Sequence, residues 1–132
     1  MDKTRIITLW ILTVIGMILH FNYHVGNIFY GIDVVIENAD KKVPSSTHLI
    51  RAIFYHLPLI YVLLLLYFKG RIFHLIMFVI SIIYTFAHSS HLLGEVSKTS
   101  VDISQTGLLI LVLIVALLIN VEHFKAFRIT KK

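Results

Sequence analysis

The chain has no cysteine, only two prolines and few charged residues. Without cysteine it can form no disulfide, no thiolate metal site and no cysteine nucleophile, so a bound metal ion would need imidazole nitrogen and oxygen ligands. Charged residues make up 14% of the sequence and hydrophobic residues 58%, which lies outside the range of ordinary soluble domains. This composition indicates a protein of the membrane.

Four apolar stretches are long enough to span a bilayer, which takes about 20 mainly apolar residues in a helix. They cover roughly residues 4–27, 48–68, 71–93 and 103–124. The short Lys69-Gly70-Arg71 turn predicts that the second and third helices are antiparallel neighbours. We therefore expect an all-α integral membrane protein, a four-helix antiparallel transmembrane bundle that forms one domain over residues 1–132.

Basic residues are distributed unequally between the two sides that four crossings define. One side carries Lys3, Arg5, Lys69, Arg71, Lys125, Arg128, Lys131 and Lys132. The positive-inside rule places this side, with both termini, in the cytoplasm. The prediction is an N-in/C-in, multi-pass protein of the cell (inner) membrane, surrounded by the lipid bilayer. The basic tail has no aromatic platform, so we expect no nucleic-acid partner, while a larger membrane complex or a homo-oligomer stays open.

Several short signals predict local features of the helices and their connections. After the first helix, an apolar face at helical spacing predicts a short amphipathic segment in the membrane interface: Ile28, Phe29, Ile32, Val35 and Ile36. Gly16 is expected to allow close approach of a neighbouring helix, and Pro58 to disturb the second helix beside His56. Candidate N-caps are Ser45, Ser46 and Thr47 for the second helix and Ser100 or Asp102 for the fourth.

The third helix carries a polar stripe on an otherwise apolar surface. Its members follow one another in steps of three and four residues: His74, Met77, Ser81, Tyr84, His88, His91 and Glu95. At about 100° per residue these steps keep all of them on one helix face. Ionisable side chains in a membrane span are costly unless they face partners, water or a ligand. The stripe is therefore predicted to face the interior of the bundle, as is a similar stripe in the first helix that includes His20 and His24.

Histidines of the first three helices are predicted to converge in the non-cytoplasmic half of the membrane. A rise of about 1.5 Å per residue arranges them in two layers, first His20, His56 and His88 and then His24, His48 and His91. Neutral imidazole is a ligand for zinc, copper and iron. The preferred prediction is a transition-metal site (Zn, Cu or Fe), for metal handling or metal-dependent chemistry, with the ligands His20, His24, His48, His56, His88, His91 and Glu95. Glu95 is also a candidate general base, and whether the protein is an enzyme stays open.

A second interpretation uses the histidines as axial ligands of haem b. His74 and His88 lie fourteen residues apart on one face, about 21 Å along the helix axis. This spacing resembles that of the two haems in membrane cytochromes b, which implies a quinone-linked electron-transfer subunit. His123 would complete the inner pair with His74, and His20 or His56 the outer pair with His88.

A third interpretation is a structural membrane subunit whose histidines serve helix packing. A single histidine in a spanning helix is more often a hydrogen-bonding partner between helices than a ligand. His48, His74 and His123 lie near predicted helix ends, where water and headgroups can solvate them.

Overall fold

The computed structural model describes residues 3–35 and 41–130, and its regular secondary structure over these residues is helical throughout. Helix α1 covers Lys3–Gly26, α2 covers Ser45–Tyr67, α3 covers Arg71–Val96 and α4 covers Ile103–Ile129. Each helix is long and apolar enough to cross a membrane, so the four predicted apolar stretches do form helices of spanning length. Helix α4 ends later than predicted because Lys, Ala, Phe and Arg continue it beyond the apolar run.

The polar stripe of α3 faces the interior, as predicted. Its buried residues are His74, Met77, Ser81, Tyr84, His88 and Glu95. His91 is half-buried. The opposite face is apolar and exposed, with Ile83 and Phe86 among its most exposed side chains. A helix that buries its polar groups and exposes its apolar ones suits a lipid environment.

Helix α4 lies between α1 and α3 and packs against both of them. The residues it buries recur at helical spacing: Gln105, Leu109, Val112, Ala116, Ile119, His123 and Ala126. Helix α2 packs against α1 and is the least buried of the four helices. The fold thus places α4 between α1 and α3, and α1 between α4 and α2.

Gly16 brings α1 close to α4, as the sequence predicts. A Cβ atom built on Gly16 would lie 2.5 Å from Cγ2 of Val112. Valine has one strongly preferred rotamer in a helix, so Val112 cannot easily turn away. We expect Gly16→Ala to lower the free energy of unfolding by about 1–3 kcal/mol through overpacking.

Thermal unfolding in detergent measures this effect, with Gly107→Ala as the matched control. A Cβ at Gly107 meets nothing within 4 Å. An unfolding temperature that falls equally in the two variants would contradict the proposed contact.

Helix α2 contains a π turn at Ala52–His56, just before Pro58. The N–H of Leu57 donates to the carbonyl of Ala52. Because Pro58 has no N–H, the next carbonyl, that of Ile53, is left without a backbone donor. The hydroxyl of Tyr84 donates to this carbonyl. The disturbance predicted at Pro58 is therefore a π turn that a side chain of α3 stabilises.

Tyr84→Phe is expected to lower the free energy of unfolding by about 1–3 kcal/mol, because it leaves the carbonyl of Ile53 unpaired in an apolar setting. Tyr67→Phe is the matched control, since Tyr67 is exposed. Thermal unfolding in one detergent compares the two variants. Equal unfolding temperatures would show that the hydroxyl of Tyr84 contributes nothing.

Helices α2 and α3 meet through aromatic side chains. The ring centroids of Phe54 and Tyr84 lie 6.1 Å apart, as do those of Tyr61 and Tyr84. At the end of α2, Nζ of Lys3 donates to the carbonyl of Leu65 at 2.8 Å. These contacts hold α2 against the other helices where its own packing is sparse.

The connections between the helices differ in part from the predictions. Asp102 caps α4, since its side chain accepts from the N–H groups of Ser104 and Gln105. The predicted serine and threonine caps of α2 are wrong. That helix begins at Ser45 itself, the N-cap position is Pro44, and no side chain bonds to it.

The segment after α1 is a short 3₁₀ helix at Asn27–Tyr30. Gly31 ends it with a φ of 75°, a conformation that favours glycine. The aromatic rings of Phe29 and Tyr30 are exposed, and exposed aromatic rings are common at membrane interfaces. Residues 32–35 are not helical, so the segment is shorter than predicted, and its residues 36–40 lie outside the described part of the chain.

Candidate metal centre

His20 and His24 of α1 and Glu95 of α3 come together in the structure. Each offers one ligand atom, and these three atoms lie within 4.8 Å of one another. His20 and Glu95 are buried and His24 is half-buried. The two imidazole rings are one helical turn apart on α1, with centroids 4.7 Å apart and planes at 81°. His20 and His24 are adjacent because one turn of α1 separates them, and the packing of the helices brings Glu95 of α3 next to them. We call these three residues the donor group.

The three donors can reach a common ion by small side-chain rotations. Ligand atoms about 2.0–2.2 Å from a tetrahedral metal ion lie about 3.4 Å from each other. The observed limit of 4.8 Å therefore requires the donors to close by about 1.4 Å at most. Three protein ligands would leave a fourth position open for water or another molecule.

His91 lies beside this group on α3, one turn before Glu95. The centroids of the His20 and His91 rings are 4.7 Å apart, with an interplanar angle of 87°. Within the described residues, Nδ1 of His20 is buried without a hydrogen-bond partner. His91 is therefore placed to be a neighbour of the ion or an additional ligand.

Gln105 of α4 contacts the group, and the sequence analysis did not identify it as a site residue. Its Nε2 lies 3.1 Å from Nδ1 of His24, while its Oε1 is buried with no partner among the described residues. Turning the amide by 180° would let Oε1 accept a hydrogen bond from the Nδ1–H group of His24. An oxygen acceptor on the second ring nitrogen is typical of a metal-binding histidine, and it leaves Nε2 of His24 free to bind the ion.

Glu95 forms an ion pair with Lys98. The distance between Lys98 Nζ and Glu95 Oε2 is 2.6 Å, and the Glu95 side chain is only 4% exposed. The ammonium group compensates a buried carboxylate that would otherwise be unpaired. A metal ion on Glu95 and the ammonium group of Lys98 would therefore compete for the same carboxylate.

A cavity of about 330 Å³ leads to the donor group. Its walls include His24, Glu95 and Lys98 together with Asp102 and Gln105. Two carboxylates in the wall favour cations over anions. The cavity therefore offers an ion a route to His24 and Glu95.

The remaining predicted ligands lie elsewhere. His48 and His56 are exposed on α2, and His56 lines a separate cavity with Arg51 and Tyr55. His88 is buried, but its ring packs against Phe54 at a centroid distance of 5.4 Å and does not belong to the donor group. The structure thus brings together residues from both predicted layers and leaves the histidines of α2 outside.

The residues of the haem interpretation do not form a haem pocket. The His74 and His123 rings pack directly, with centroids 5.8 Å apart, and both side chains are fully buried in the helix packing. Trp10 Nε1 donates to His123 Nε2 at 3.1 Å. His20 contacts His24 and His91, whereas His88 packs against Phe54 and Tyr84. The haem interpretation therefore has no support in this packing.

Comparisons of this chain with protein families, with curated proteins and with solved structures find no match. The function therefore has to be inferred from the geometry of the site and from the four apolar helices.

Proposed function

We propose that the protein is a small multi-pass membrane protein that binds a transition metal ion, Zn, Cu or Fe. The ligands are His20, His24 and Glu95, and the role is metal handling or metal-dependent chemistry. The observation that carries this proposal is the group of three donor atoms within 4.8 Å, on two helices and mostly buried. Two imidazoles and a carboxylate are ligands typical of these metals.

The proposed arrangement is one four-helix antiparallel transmembrane domain with both termini cytoplasmic. Two contacts between α3 and α4 support the antiparallel order. Phe78 packs against Phe124, and Thr85, further along α3, accepts from Asn120, which comes earlier on α4. The positive-inside rule then places the metal group near the outer face. The exposed apolar faces of the helices would contact lipid, and a larger membrane complex or a homo-oligomer would bind to the same faces.

Elemental analysis of the purified protein tests the proposal. After incubation with Zn, Cu or Fe salts and removal of loosely held ions, we expect at least one tightly held ion per chain, which a strong chelator then removes. A visible spectrum recorded on the same sample distinguishes haem, which absorbs strongly and shifts on reduction. A preparation that retains none of the three metals would reject the proposal in favour of a structural subunit.

A further inference from the structure

A cavity of about 920 Å³ lies beside the connection between α2 and α3. Its walls include the cations Lys69 and Arg71 and the apolar side chains of Ile72, Leu75 and Phe127. Cavities that hold small molecules have volumes of about 300–1,000 Å³, so this one has room for much more than a single inorganic ion. Positive charge beside apolar walls fits a ligand that has an anionic headgroup and hydrocarbon chains.

Arg71 is held at this cavity by an aromatic ring of the neighbouring helix. Its guanidinium carbon lies 4.7 Å from the centroid of the Phe127 ring, a cation–π contact between α3 and α4. The ion pairs between described residues use other cations, so neither Arg71 nor Lys69 has a carboxylate partner there. A guanidinium can donate two parallel hydrogen bonds to a phosphate. Arg71 is therefore positioned to bind an anion in the cavity.

The start of α3 adds backbone donors to the same wall. Gly70 is the N-cap residue, and no side chain caps the helix. The N–H of His74 donates to the carbonyl of Gly70 at 3.1 Å, so the N–H groups of residues 71–73 have no acceptor within the helix. Gly70 and these three residues all line the cavity. A helix N-terminus carries a partial positive charge that favours anions, and here it adds to the charges of Lys69 and Arg71.

We propose that this cavity binds an anionic phospholipid. Its phosphate oxygens accept hydrogen bonds from Arg71 and from the N–H groups at the start of α3, with the ammonium group of Lys69 beside them. An acyl chain lies along Ile72 and Leu75, which are 75% and 41% exposed. Basic pockets between membrane helices on the cytoplasmic side bind anionic lipid headgroups, and the positive-inside rule places this connection in the cytoplasm.

This inference rests on the membrane placement proposed above and not on metal binding. Arg71 begins α3, and Glu95 of the donor group comes 24 residues later on the same helix, about 36 Å along its axis. Removing the metal with a chelator should therefore leave lipid binding unchanged. A protein that holds metal without selecting anionic lipid would reject this inference alone.

Native mass spectrometry of the full-length protein in detergent counts bound lipids and tests the inference. The delipidated protein is titrated with phosphatidylglycerol and, separately, with phosphatidylcholine that has the same acyl chains. We expect one phosphatidylglycerol to bind about tenfold or more tightly than phosphatidylcholine, because two cations and a helix N-terminus attract its net negative charge. Inorganic phosphate should bind much more weakly than phosphatidylglycerol, since it cannot use the apolar walls.

Arg71→Gln is expected to weaken phosphatidylglycerol binding about tenfold, because it removes charged hydrogen bonds to the phosphate. Arg128→Gln is the matched control. Arg128 is exposed near the end of α4 and lies over the ring of Phe124 at 5.8 Å, but it does not line the cavity. Lys69→Gln changes an exposed residue outside the helices and should weaken binding about fivefold.

Equal affinities of the wild type for the two lipids would overturn the proposal. Equal losses in Arg71→Gln and Arg128→Gln would also overturn it, since they would show a general attraction between charges. Binding of wild-type strength in Lys69→Gln would contradict the site even where Arg71→Gln fails to fold. Inorganic phosphate that binds as tightly as phosphatidylglycerol would assign the cavity to a free anion instead of a lipid.

Discussion

Replacing His20 with asparagine is expected to weaken metal binding at the outer donor group by about 100-fold or more. Changes to residues that merely support a ligand cost about 10–100-fold, and His20 is itself one of only three donors within 4.8 Å. Asparagine is similar in size but has no imidazole nitrogen to offer the ion. Competition with a chelator of known affinity, read by elemental analysis, measures the loss.

His56→Asn is the matched control, because it makes the same substitution at an exposed histidine of α2. We expect its metal affinity to stay at the wild-type level. Equal affinities in the wild type and in His20→Asn would remove the proposed site. Equal losses in His20→Asn and His56→Asn would show that the histidines of α2 also take part.

Replacing Lys98 with methionine is expected to tighten metal binding about tenfold. The ammonium group of Lys98 lies 2.6 Å from Glu95 Oε2 and must leave this carboxylate before an ion can take its place. A hydrogen bond to a charged group contributes about 1.5–3 kcal/mol, and about 1.4 kcal/mol corresponds to tenfold in affinity. Methionine retains much of the length of lysine and removes the competing charge.

The same variant should lower stability without metal, since the buried carboxylate of Glu95 loses its partner. Added metal should restore the unfolding temperature, because a ligand that binds only the folded state stabilises it. Lys98→Arg keeps the charge and should resemble the wild type in both measurements. Weaker metal binding in Lys98→Met would instead mean that Lys98 holds Glu95 in position for the ion.

The inward face of α3 and the role of Gly16 were predictable because both follow from spacing within one helix. Polar residues at steps of three and four share a face whatever the neighbours are. A glycine in the polar stripe of a spanning helix commonly marks a close helix contact. The pairing of His20 with His24 was accessible in the same way, since one turn separates them.

The position of α4 between α1 and α3 and the contribution of Gln105 were not predictable from the sequence. A helix that is apolar from Leu108 to Ile119 shows no preferred face, so periodicity cannot say what it packs against. Gln105 follows the cap residue Asp102 and looks like an ordinary part of a helix start. The ion pair of Glu95 with Lys98 could have been predicted, because opposite charges three residues apart at the end of a helix lie close together.

The histidines of α2 show where counting along helix axes fails. A rise per residue predicts a depth along the helix axis but not the direction of the side chain, and the side chains of His48 and His56 are exposed. The π turn at Ala52–His56 also changes how residues are distributed around the axis. Only packing between helices decides which histidines meet.

The position of α4 between α1 and α3 has a consequence for how the protein is made. Helix α4 emerges from the ribosome after α1, α2 and α3, yet α1 and α3 both pack against it, and Gln105 of α4 contacts His24. During synthesis, α1 and α3 would enter the bilayer before the helix that lies between them. Premature termination before residue 103 would therefore release a chain that lacks the helix joining the two parts of its donor group, and a nascent chain could not complete that group until α4 had been made.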